Sequence, residues 1–362
     1  MEAEPESMEL VDLRPVLPCE LLQPVPALGN SVPRNKVCPT QVWLHASGAE
    51  LQLQQNPGYY ARLQTCIDSL PCPYDRVIQG DLSRTFPKER FFASRDALSS
   101  LSRVLKAYAR YFPPSRNPNV GYVQGFNFIA GRLLSLGFSE EHSFWLLAQI
   151  VETYLPLDYF YNMSGILIDQ KVFARLMEIK LPKLTNRLNK LKIDSSLFCV
   201  QWFLSLFAGV FSQHAISRIW DVFFLKGTLL LPQLALALLF SERWAIKSCD
   251  NFNKMVQMLE KAPAVVHDPT DLLETALGKF RLEPEIYEEL AATCRKEVFT
   301  ALSERQGREV SVDSWTYMVL RSEPIAFIED YLGDENVPKR FYVDQLGACT
   351  GPLMLGILYE YV

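Results

Sequence analysis

The chain has 362 residues, 49% of them hydrophobic and 21% charged, with a formal net charge of -5. Such a length and balance suit a globular protein with a sizeable core, and the acidic excess argues against a dedicated nucleic-acid binder. Eight cysteines and four histidines form no CxxC pair, so neither a zinc site nor the disulfide framework of a small secreted domain is expected. The N-terminus is acidic and lacks an apolar core, which predicts no secretory signal. The longest apolar stretches, 197–211 and 229–240, are broken by Gln201, Pro232 and Gln233 and are too short to span a bilayer. The expectation is a reduced, cytosolic protein.

Residues 1–35 are rich in Pro and Glu; Pro5, Pro15, Pro18, Pro24, Pro26 and Pro33 forbid a long helix or a central strand. This segment reads as a disordered or loosely docked arm. From about Val42 onward the pattern is helical almost throughout. Leu98, Leu101, Leu105, Tyr108 and Phe112 recur at three- and four-residue steps, which predicts a helix over 94–112 stopped by Pro113 and Pro114. Val123, Phe126, Ala130, Leu133 and Leu134 predict a second over 121–136, closed by Gly137. Ser139 reads as the N-cap of a helix reaching about Tyr154. Further helices fit 169–178, 196–209, 216–225, 232–247 and 283–305. No strand alternation or hairpin dipeptide stands out. The fold class is therefore all-α, a large bundle of helices apolar over much of their circumference.

The usual enzyme signatures (GxSxG, HExxH, GxxxxGK[ST] and the dinucleotide glycine fingerprint) are absent. His142 and His214 sit at predicted helix starts, where a capping or surface role is expected. Two segments remain. In 77–87, Pro87 disfavours the helical conformation at Phe86, which puts Arg84 in or just past a turn. Asp81, three residues earlier, is placed to hold the guanidinium, although an Asp–Arg pair at this spacing is ordinarily a surface pair of a few tenths of a kcal/mol. In 119–127, Gly121 stands where a helix begins, so Gln124 is expected in its first turn, beside free N–H groups suited to a phosphate. A glutamine amide both donates and accepts and can orient a water molecule; it can equally be a solvent-facing residue of an amphipathic helix. Trp202, Phe203, Leu206, Phe207, Ile219, Trp220 and Phe223 are expected in the core, and Arg218 and Asp221 as a partly buried structural pair.

These segments resemble the two signature motifs of the TBC-domain Rab GTPase-activating proteins. Ile78, Asp81, Arg84 and Thr85 match an IxxDxxRT box, and Tyr122 and Gln124 a YxQ box. Segments 201–207 (QWFLSLF) and 218–224 (RIWDVFF) resemble later family segments, in the same order and rough spacing. The resemblance covers about residues 42–239. It implies an all-α TBC-like domain over 36–250, with 251–362 as the rest of the domain or an extension. It further implies that Arg84 is an arginine finger and Gln124 a glutamine finger, donated in trans to a Rab-family GTPase in its GTP form. Asp81 would orient Arg84, and Tyr122 would shape the loop or touch the partner. No cofactor of its own is implied, because GTP and magnesium are held by the partner, and no metal or nucleic acid. Contact with endomembranes would be transient and through the Rab, in vesicle traffic. The family's departures here are Pro39 where arginine is common, a longer connection over 111–116, and Phe126 where methionine is typical. A non-catalytic Rab-binding scaffold and a helical adaptor of the same fold are the alternative classes.

Overall fold

The computed structural model describes residues 39–69, 72–111, 121–156, 159–160 and 163–306. The expected N-terminal arm, the Pro113–Pro114 stop and the aromatic C-terminal end lie outside them. All regular structure in the described residues is helical. In chain order the helices are α1 (Pro39–Ser47), α2 (Ala49–Gln55), α3 (Tyr59–Ser69), α4 (Asp75–Leu82), α5 (Arg95–Ala109), α6 (Phe126–Ser135), α7 (Glu140–Gln149) and α8 (Ser164–Lys180). They continue as α9 (Pro182–Lys190), α10 (Ser196–Leu204), α11 (Gln213–Lys226), α12 (Leu230–Ser241), α13 (Arg243–Ser248), α14 (Phe252–Lys261), α15 (Thr270–Leu277) and α16 (Pro284–Gln306). None of the described helices is long and apolar enough to cross a membrane.

The sequence explains several starts. Serine hydroxyls cap α5, α7 and α11: Ser94, Ser139 and Ser212 accept from the backbone N–H of Asp96, His142 and Ala215, each satisfying one orphan donor of a first turn. α12 lies at the centre, with every residue from Leu230 to Leu239 buried. Pro232 is tolerated because it falls within the first turn, where no intrahelical N–H bond is lost. α8, α10, α11 and α15 pack on α12, while α14 lies on α10 and α16 along α8. The described helices beyond residue 250 thus share one core with those before it.

The aromatic residues read as core are buried. Trp202, Phe203, Leu206, Phe207, Ile219, Trp220 and Phe223 are all at most 1% exposed. Trp43, in α1, stacks on Phe138 and donates its indole N–H to Asp221 Oδ1 at 2.8 Å. That bond corrects one expectation: Asp221 serves Trp43, and Arg218 lies exposed on α11 rather than paired with it. A buried indole donor needs an acceptor, whereas an exposed guanidinium is satisfied by water.

Two boundaries also differ. The segment 196–209 stops being helical at Leu204, because Leu206 and Phe207 take left-handed backbone conformations (φ 48° and 64°). Ser205 Oγ there donates to Gln201 O and accepts from Gly209 N, a local alternative to the helical ladder. The segment 232–247 is two helices joined at Glu242. α9 falls outside the helices that the spacing predicts; Leu184 and Leu188 bury one face of it and Pro182 opens it, a start signal hidden by the polar residues between.

Candidate functional site

α4 buries Ile78, Asp81 and Leu82, positions three and four apart that share a helix face. An apolar and a carboxylate side chain therefore enter the same interior. Asp81 is completely buried, and a buried carboxylate is tolerable only when its oxygens are paired. Both are. The Arg84 guanidinium donates to Oδ1 and the Tyr122 hydroxyl to Oδ2. Arg84 itself lies in the turn just past α4, as Pro87 predicts, with its side chain 30% exposed. Burial lowers the pKa of its guanidinium, and interaction with Tyr122 opposes that shift. Burial raises the pKa of the Tyr122 hydroxyl, against the opposing charge of Arg84, so this tyrosine remains a neutral donor to Asp81.

Gln124 is placed differently from the sequence expectation. α6 begins at Phe126, so Gln124 stands in the turn before the helix rather than in its first turn. The reason is backbone conformation. Gly121 and Gly125 have φ of 68° and 117°, which a right-handed helix cannot contain. At Gly125 a side chain is also excluded by packing, since a Cβ would lie 2.5 Å from Leu204 O. The end of α10 thus presses on the backbone next to Gln124. Gln124 is half-buried, and its Oε1 accepts no hydrogen bond from the described residues.

Three polar rungs lace the Arg84 segment to the Gln124 segment. The first is Asp81–Tyr122. In the second, Asn127 Nδ2 donates to Thr85 Oγ1 at 2.8 Å while its Oδ1 accepts from Gly125 N at 3.1 Å; Thr85 Oγ1 in turn donates to Asp81 O at 2.7 Å. In the third, Arg132 Nη1 donates to both Glu89 carboxylate oxygens at 2.9 and 3.0 Å. Arg132 is 1% exposed. Its guanidinium lies 3.9 Å from the Phe86 ring centroid and its Nη2 donates to the carbonyls of Ala208 and Phe211. Burial lowers its pKa, opposed by the charge and hydrogen bonds of Glu89. The rungs join residues 41, 42 and 43 apart in sequence, so 81–89 and 122–132 run side by side in the same direction. One partly exposed cation and one half-buried amide, whose Oε1 is buried without a donor among the described residues, are held on adjoining loops by buried bonds, an arrangement suited to an anion and a polar group that a partner brings into the site.

Asn127 and Arg132 escaped the sequence reading. Asn127 follows the YxQ box by three residues and sits in α6 among apolar neighbours, and Arg132 is a charged residue on an otherwise apolar helix face; each was a visible polar interruption. His142 and His214 play the minor parts expected. The His142 backbone N–H meets the Ser139 cap, and His214 is exposed.

A family profile for the Rab-GTPase-TBC domain matches residues 39–247, more than half of the chain. The chain belongs to the RabGAP-TBC family. Among curated relatives, growth hormone-regulated TBC protein 1 of Homo sapiens is 35% identical over 228 residues, covering 60% of this chain and 66% of that protein. Its counterpart in Xenopus tropicalis is 34% identical over 216 residues, covering 59% of this chain and 61% of that protein. The match therefore spans a little under two thirds of these relatives' length. Among solved structures, the Chlamydomonas flagellar RabGAP TBC domain superposes with a TM-score of 0.59 at 28% identity, covering 68% of this chain and 85% of that one. The Ypt/Rab-GAP domain of Gyp1p has a TM-score of 0.54 at 20% identity, covering 67% and 86%; at that identity the likeness concerns the fold. Two of the family departures are absorbed structurally, and the longer connection over 111–116 lies, past Tyr111, outside the described residues. Pro39 opens α1, and Phe126 is fully buried, edge-on to Tyr108 and Phe160.

Proposed function

We propose that this TBC-family chain stimulates GTP hydrolysis by a Rab-family small GTPase in trans, so ending a GTP-bound state in vesicle traffic. It is a GTPase activator and not a self-contained enzyme, because the substrate and its magnesium belong to the partner. Arg84 enters the partner's nucleotide site and neutralises charge developing on the transferred phosphoryl group. Gln124 orients the attacking water. Asp81 and Tyr122 hold Arg84 in its turn, and residues 36–250, sharing one core with the described helices that follow, carry the activating site.

One observation carries this reading: Arg84 and Gln124, forty residues apart, stand on two loops bound to each other by buried side-chain bonds. Phosphoryl transfer is accelerated by positioning and electrostatic stabilisation, and an arginine supplied in trans contributes on the order of 10³–10⁵ in rate. Preorganisation is what makes such a group effective, since it then costs no reorganisation during reaction. Arg84 is partly exposed and anchored to Asp81 through one nitrogen, and the Gln124 carbonyl oxygen accepts no bond from the described residues.

The test is single-turnover hydrolysis by purified Rab GTPases, each mixed with the full chain. Acceleration of at least one is expected. A GTPase that binds in its GTP form but hydrolyses at its intrinsic rate would instead make the protein a scaffold.

A further inference from the structure

A second surface carries chemistry that the GTPase-activating reading does not use. Residues 180–192 (KLPKLTNRLNKLK) contain Lys180, Lys183, Arg187, Lys190 and Lys192 and no acidic residue, in a chain whose net charge is -5. A concentration of one sign against the average of the chain is a local field and not a compositional accident. Leu184 and Leu188 bury the other face of α9, while Lys180, Lys183, Lys190 and Lys192 are exposed. None of these four lysines is ion-paired among the described residues.

α9 packs beside α13. Arg187 donates to the carbonyl of Cys249 at the end of α13, so the stripe Lys183–Arg187–Lys190, at helical spacing, borders that helix. On α13 Trp244 is 65% exposed. Lys247 Nζ lies 4.5 Å from its ring centroid and the Arg243 guanidinium 5.7 Å away. Arg243 also stacks on Phe240 at 4.3 Å, and Lys279 Nζ lies 4.6 Å from that same ring. An exposed tryptophan fringed by cations on long apolar stems is the composition of a bilayer interface: the indole sits at headgroup level while Lys and Arg reach the phosphates. An acidic protein partner would use the same cations and indole, and failure to bind vesicles would point to it.

We propose that the α9–α13 face docks directly on an anionic lipid bilayer. Trp244 enters the headgroup layer, and Lys183, Lys190 and Lys247 meet the lipid phosphates. Docking is electrostatic in origin and reversible, since each juxtamembrane cation strengthens binding by only about fivefold.

The experiment is co-sedimentation of the full chain with phosphatidylcholine vesicles, with and without phosphatidylserine as about a third of the lipid. Wild type, Lys183→Glu/Lys190→Glu, Trp244→Ala and Lys296→Glu are compared; Lys296 is an exposed cation on α16, which packs along α8. Wild type is expected to bind only the anionic vesicles, and to be released by salt. The double reversal is expected to weaken binding at least about 20-fold, Trp244→Ala to weaken it, and Lys296→Glu to leave it unchanged. All varied positions are exposed, so unchanged thermal melting separates loss of docking from loss of fold. Wild type that fails to bind, or that binds equally in the double variant and Trp244→Ala, would overturn the proposal. GTPase stimulation in solution, without vesicles, is expected to be unchanged in all three variants and reports separately on the activating site.

Discussion

The buried Asp81 carboxylate makes Tyr122→Phe an informative substitution. The change removes one hydroxyl and leaves the ring, whose edge-on contact with Phe126 at 6.3 Å is preserved. No cavity is created, so the cost reports on the hydrogen bond alone. Asp81 Oδ2 loses its donor in a position with no solvent exposure, and Arg84 remains on Oδ1. A hydrogen bond to a charged group contributes about 1.5–3 kcal/mol, and water cannot readily replace it here. Urea unfolding is therefore expected to show a loss of about 1.5–3 kcal/mol. A cycle with Asp81→Asn is expected to be non-additive, because the two groups act through one bond. The same variant is expected to lower GTPase stimulation, since the carboxylate left short of a donor no longer fixes the turn that carries Arg84. A loss below about 0.5 kcal/mol, or an additive cycle, would refute the placement of this tyrosine.

Gly125→Ala is expected to cost about 3 kcal/mol or more, from the φ of 117° together with a Cβ 2.5 Å from Leu204 O. Gly80→Ala, in α4 with open space around it, is expected to stabilise by about 0.5–1 kcal/mol; chemical denaturation of both variants checks the contrast. Arg132→Met is expected to destabilise by about 2–4 kcal/mol, discounted from a fully buried pair because Glu89 is 29% exposed, and Glu89→Leu in the same chain should recover part of it. Between the carboxylate range and about pH 10 stability is expected to be flat, and above it to fall. Burial raises the hydroxyl pKa of Tyr111 and Tyr122, with smaller charge effects from Glu152 and Tyr59 on the former and Arg84 on the latter, and burial pushes that of Tyr154 up to about 12. Above the ordinary tyrosine value the unfolded chain therefore releases protons that the folded chain keeps, and urea midpoints measured up to about pH 11 would show the decline.

The sequence was most legible where structure is local. α5 and α7 follow from hydrophobic spacing and caps within a few residues, and the Asp81–Arg84 bond follows from a three-residue separation next to a proline. What escaped was set by distant neighbours. α6 starts late because the end of α10 forces Gly125 into its conformation, and nothing within 119–127 announces Leu204. Leu206 and Phe207 continue an apolar pattern, yet their backbone turns so that the Leu206 carbonyl can accept the Trp220 indole N–H at 3.1 Å. The Asn127–Thr85 and Arg132–Glu89 rungs join segments more than forty residues apart, beyond the reach of periodicity. Family resemblance pointed to the two loops, but the bonds that hold them together had to come from three dimensions.

The central claim is that Arg84 and Gln124 both act on the partner's GTP. The most direct measurement is the single-turnover hydrolysis rate of a responsive Rab GTPase at saturating protein, for wild type, Arg84→Ala and Gln124→Ala, with binding measured alongside. The account predicts a loss of about 10³-fold or more for Arg84→Ala and a large loss for Gln124→Ala, both with the complex still formed. Stimulation that persists in either variant at saturation would contradict it.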